Sequence, residues 1–138
     1  MAQRDYILRM IEQMGQVLIR LRKLLARERT GEEFRTEADA VATQFGLNPG
    51  LLRDATPETL AMLLSPTVDP SRCWLAAELL WLEGQRFELD DEPDAARSAW
   101  ERAILLYRLL EPAGVMLTGW PEASSRIAEI EARLIAIG

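Results

Sequence analysis

Trp74, Glu78, Trp81, Gln85 and Glu88 are spaced i, i+4, i+7, i+11 and i+14, which lines them along one side of an α-helix. Two indoles and two carboxylates on one face can hold a basic or aromatic peptide segment through stacking, cation–π contact and charge. A small apolar or cationic ligand is a second occupant for a pocket near Trp74 and Trp81. The same spacing also suits a helix whose tryptophans pack beneath the first or last helix of the chain, because large aromatic residues commonly fill cores. The sequence alone leaves groove and core open.

The other chemically suggestive residues have simpler readings. Asp90, Asp91, Glu92 and Asp94 suggest calcium, yet they lack the alternating ligands and central glycine of a helix–loop–helix site. Acids just before a helix are explained by capping and by the helix dipole, so no metal is expected. Arg20, Arg22, Lys23, Arg27 and Arg29 make a basic stretch that is a candidate for nucleic-acid contact. These residues spread around the helix without aromatic partners, which favours a solvated helix end, or contact with the acidic turn of the same or another subunit. Cys73, the single cysteine, sits beside Trp74 and Leu75 and reads as a small apolar filler.

Histidine is absent. That removes the side chain most often used as a general base near neutral pH and the commonest transition-metal ligand. No Gly-rich phosphate loop, nucleophile elbow or metal motif is present either. The sequence therefore offers no catalytic residue, and neither enzymatic activity nor a cofactor is expected. A net charge of -6 disfavours nucleic acid and anionic membranes as partners of the whole chain. The start, Met1-Ala2-Gln3-Arg4-Asp5-Tyr6, has no apolar signal core, and Cys73 to Leu82 is too short to span a bilayer. A cytoplasmic, reducing location is the expectation.

Helical periodicity carries these residues throughout, with no strand alternation. The first helix is predicted over 3–29, its apolar stripe including Met10, Met14, Val17, Leu18, Leu21 and Leu25. That stripe is wider than a two-stranded seam needs. Gly15 in its middle predicts a close helix crossing. Thr30 is positioned to cap a second helix that Gly46 ends in a left-handed conformation. Asn48-Pro49-Gly50 reads as a turn, with Leu51-Leu52 starting a short helical segment. Thr56-Pro57 and Asp69-Pro70 read as caps followed by a first-turn proline. A helix over 70–89, a second over 92–111 ended by Pro112, and a last one opened by Pro121 complete the chain. The fold class is all-α, a single domain of antiparallel helical hairpins with a long N-terminal helix. Residues 1–66 form one layer, and 69–138 form a hairpin plus a capping helix.

The segment from Trp74 to Pro112 carries a recognisable pattern. Gly84, Phe87, Ala96, Trp100, Ala103 and Ile104 place small and bulky residues at the spacing of a tetratricopeptide repeat, which the segment resembles. Leu80, Glu83 and Pro93 depart from the family's usual tryptophan, leucine and tyrosine. The resemblance implies an interlocked helical hairpin that serves as a binding surface. The opening Arg4-Asp5-Tyr6 and Arg9-Met10-Ile11-Glu12-Gln13 resembles a family of small uncharacterised bacterial helical proteins, which implies the same fold and no activity. A non-catalytic adaptor or scaffold that binds a protein or peptide is expected. A homodimer with Leu18, Leu21 and Leu25 as its seam is also expected, from the width of the first helix's stripe.

Overall fold

The computed structural model describes residues 2–27, 31–67, 69–116 and 123–137. Among them lie seven α-helices: α1 (Ala2–Ala26), α2 (Gly31–Gln44), α3 (Pro49–Asp54), α4 (Pro57–Leu63), α5 (Pro70–Leu89), α6 (Pro93–Met116) and α7 (Ala123–Ile137). The protein is all-helical. Helix α5 is the centre: α6 packs along it as an antiparallel hairpin partner, and α1 and α2 cover other sides. Helices α4 and α7 pack on α6. A helix enclosed on several sides must be apolar around most of its circumference, and Cys73 to Leu82 is buried without a break. One hydrophobic cluster runs from Met14 to Ile130.

The predicted caps are present. Asp69 accepts the amide of Arg72 at 3.2 Å, and Thr56 that of Thr59 at 3.1 Å. Gly46 has φ +80°, and the bonds Leu47 N to Ala42 O at 2.8 Å and Gly46 N to Thr43 O at 3.1 Å close a Schellman motif after α2. The α5–α6 turn repeats that motif without a glycine. Asp91, at φ 60°, occupies the left-handed position, and Glu92 N reaches Phe87 O at 2.9 Å. Aspartate tolerates this conformation better than most side chains do.

Several expectations need correction. Asn48 does not merely open a turn: its Oδ1 accepts the amides of Gly50 at 2.9 Å and Leu51 at 3.2 Å, capping the complete helix α3. Helix α6 continues through Pro112 to Met116, because a proline removes one amide bond without forbidding a further turn. Helix α1 ends at Ala26, while Arg29, Thr30 and Pro121 lie outside the described residues. Gly15 marks no close crossing, since a Cβ there would meet nothing within 4 Å. Leu18, Leu21 and Leu25 are 1%, 2% and 8% exposed within the single chain. The proposed dimer seam is therefore internal: α2 and α5 cover the wide stripe of α1.

The hairpin depends on a close approach at Gly84. A Cβ there would lie 2.1 Å from Trp100 Nε1, far inside contact distance. Trp100 is fully buried, and its Nε1–H donates to the Trp81 carbonyl at 3.2 Å. Ala96 and Ala103, both 0% exposed, flank it on α6. The short helices are tied on by arginine. Arg53 of α3 bonds Asp39 of α2 and Glu83 of α5, the latter at 3.0 Å, and Arg102 of α6 donates to the Ala55 carbonyl at 2.8 Å.

Two mid-helix glycines, Gly15 and Gly84, should respond oppositely to the same change. Gly84→Ala must displace the Trp100 ring and its hydrogen bond, lowering unfolding free energy by about 2–4 kcal/mol. Gly15→Ala fits open space and should raise it by about 0.5–1 kcal/mol. Urea unfolding of both variants checks the pair, and equal small effects would contradict the interlock.

Candidate functional site

The five residues of the tryptophan face are divided by the fold. Trp74 and Trp81 are 3% and 2% exposed, and Glu78 is 1% exposed. Trp81, Gln85 and Glu88 do line an open groove of about 480 Å³ between the end of α1, α5 and α7. Trp74 and Glu78 do not line it. The groove is also already furnished with cations. The guanidinium groups of Arg126 and Arg133 lie 5.2 and 5.1 Å from the centroid of Trp81, and Arg133 is also 5.7 Å from that of Trp100. Arg133 pairs with Glu88 at 3.0 Å, and Arg126 with Glu129 at 3.4 Å. The cation–π capacity expected for a ligand is used by α7 of the same chain.

Glu78 is an internal anchor. Its Oε1 accepts from Arg22 of α1 at 2.8 Å, and its Oε2 accepts from Arg126 of α7 at 3.2 Å and from the Tyr107 hydroxyl of α6. One carboxylate on α5 thus joins three other helices. A buried charge is tolerable only with such partners. Burial first, and the Glu78 charge next, hold the Tyr107 hydroxyl well above the usual tyrosine range. Arg22 therefore reaches the buried junction with its guanidinium, while its side chain stays partly exposed at the groove beside Trp81.

The remaining basic residues of α1 do not form an uninterrupted cationic surface. Arg20, Lys23 and Arg27 share a groove of about 380 Å³ with Glu33 and Glu37 of α2. The acidic turn uses its own cations: Asp90 pairs with Arg86 at 2.6 Å and Asp94 with Arg97 at 3.4 Å. No three metal-ligating side chains gather in one place among the described residues, and no helix there is long and apolar enough to cross a membrane. Cys73 is 0% exposed, and its thiol donates to the Leu106 carbonyl at 3.7 Å. Burial, with the Asp69 charge adding, pushes that thiol up to about 12.

Another groove escaped the sequence reading. Ile104 and Leu105 of α6, Leu134 and Ile135 of α7 and Pro57 of α4 surround about 460 Å³ of open space. Ile135 is 79% exposed. Carboxylates from three helices, Glu58, Glu101 and Glu131, border this apolar floor, with Arg108 as the one cation among its described lining. Arg108 pairs with Glu131 at 3.6 Å. Ile135 sits outside the stripe formed by Ile127, Ile130, Leu134 and Ile137. That off-stripe position was the available signal. The convergence of α4, α6 and α7 had none.

No family model matches the chain, and neither the curated proteins nor the solved structures hold a match to it. Its class therefore rests on its own architecture, an all-helical protein built around one buried hairpin.

Two measurements test the buried chemistry. Glu78→Gln leaves Arg126 facing a neutral group, so unfolding free energy should fall by about 3–5 kcal/mol. Tyr107→Phe should cost less, about 1–2 kcal/mol. Equal stability of wild type and Glu78→Gln in urea would contradict the anchor. For Cys73, the folded thiol remains protonated where the unfolded thiol, with its ordinary value of 9.0, ionises. Its stabilising effect is complete below that value and is lost as pH rises toward about 12, with a slope of up to ~1.4 kcal/mol per pH unit. Denaturation series above pH ~9 should therefore show a shallower decline in Cys73→Ala than in wild type, with Tyr107 sustaining the rest.

Proposed function

We propose that this protein is a non-catalytic interaction module, an adaptor or scaffold, which seats a partner segment in the α4–α6–α7 groove. The observation that carries the reading is an apolar floor with Ile135 79% exposed, bordered by charge and left open among the described residues. A concave apolar surface with a polar rim is the usual form of a protein-binding site. The position of the reactive side chains supports a non-catalytic role. Cys73, Glu78 and Tyr107 are all bonded inward. The interlock of Gly84 with Trp100 supports a tetratricopeptide-like hairpin as the rigid platform, an architecture that commonly presents binding surfaces. The groove beside Trp81 is a weaker candidate, because a cationic ligand there would displace Arg126 and Arg133.

A photo-crosslinking residue placed at position 135 in living cells tests the reading. Discrete protein adducts are expected. They should fade when Leu105→Asp is added, and they should be missing when the reporter replaces Ile19, an exposed aliphatic outside this groove. Matching adduct patterns from positions 135 and 19 would overturn the assignment.

A further inference from the structure

We infer that the partner segment is a basic amphipathic helix, with aliphatic side chains on one face and lysine or arginine flanking them. This inference rests on the adaptor reading above. The floor sets the first requirement. Ile104, Leu105, Leu134 and Ile135 offer no buried polar group to match, so the occupant's inserted side chains must be aliphatic.

The rim sets the second requirement. Glu131 is balanced by Arg108 at 3.6 Å. Glu58 and Glu101 are exposed and form no ion pair among the described residues. They stand on different helices, α4 and α6, so the groove carries uncompensated negative charge on two sides. Lysine or arginine beside the apolar stripe of a partner would meet both.

The third requirement concerns the backbone. A groove walled by helices offers no row of unpaired amides and carbonyls of the kind a sheet edge supplies to an extended peptide. A segment docking here finds no backbone partners in the walls, and a helix needs none because it satisfies its own backbone internally. Chain-wide charge then separates the candidate occupants. A second copy would bring another net -6, so long-range repulsion opposes self-docking, whereas the same field draws in a basic segment. The grooves beside Trp81 and between α1 and α2 lack this combination. Beside Trp81 the rim charges are paired within the chain, and between α1 and α2 cations and carboxylates face each other.

The test uses the full-length chain and three labelled synthetic peptides of roughly five helical turns. One is an amphipathic helix with a leucine stripe and lysine flanks. The second is its scrambled sequence, and the third replaces lysine with glutamate. Fluorescence anisotropy should show saturable binding of the first alone, weakening as salt is raised. Glu58→Gln combined with Glu101→Gln should weaken it by about five- to tenfold. Ile135→Asp should abolish it, with an unchanged thermal melt certifying the fold at this exposed position. Equal binding of the scrambled or acidic peptide, or no effect of the double glutamine variant, would overturn the inference. So would sedimentation showing that the chain self-associates through Ile135. Adducts at position 135 without affinity for the basic helix would retain the adaptor reading and remove only this partner chemistry. Absence of both would remove both.

Discussion

Trp100 occupies the space that a side chain at position 84 would need, and this exchange sets how closely α5 and α6 approach. The missing Cβ lets the indole lie against the α5 backbone, where its N–H finds the Trp81 carbonyl. A polar atom that would be costly to bury is thereby satisfied inside the core. From this one contact the register of the hairpin follows. Seven residues further along α6, two turns on the same face, Tyr107 comes opposite Glu78. The groove residues Ile104 and Leu105 lie between them in sequence, on the part of α6 where α4 and α7 approach. Loosening the interlock would therefore disturb the buried anchor and the open groove together.

The anchor is the least expected part of the interior. An aliphatic residue at position 78 would pack more cheaply, since the desolvation of a carboxylate is only partly returned by its pairs. What the carboxylate adds is direction. Arg22 and Arg126 reach it from α1 and α7 and donate to opposite oxygens, so each of these helices is held at one rotational setting. Apolar contact alone would constrain that setting less sharply. Arg126 performs a second task by covering Trp81. The docking of α7 thus joins a buried apolar stripe, Ile127 and Ile130, with directed guanidinium contacts, and it is this helix that supplies one wall of each of the two larger grooves.

Local rules in the sequence were sufficient for most helix limits. Asp69-Pro70, Thr56-Pro57 and Gly46 each carry a cap or stop whose physics needs no tertiary context, and all three stand where expected. The spacing of Gly84, Ala96, Trp100 and Ala103 likewise announced two helices in tight contact. The failures share a cause: they needed to know which neighbour covers which face. A wide stripe on α1 is compatible with a second subunit or with α2 and α5, and periodicity cannot separate the two. Trp74 and Trp81 lie on one helix face, yet only one of them borders open space, because burial depends on where α7 lands. Glu78 read as a groove carboxylate for the same reason, its partners being 56, 29 and 48 residues away in sequence.

The indoles of Trp81 and Trp100 stand 6.0 Å apart, centroid to centroid, with their planes inclined at 36°. Two chromophores fixed at that separation and tilt do not absorb independently: their transition dipoles mix into an exciton pair whose sign follows the angle between the two rings. The packing thus writes an optical label into the protein, a split circular-dichroism band in the far ultraviolet, that belongs to the assembled α5–α6 unit and to neither helix separately.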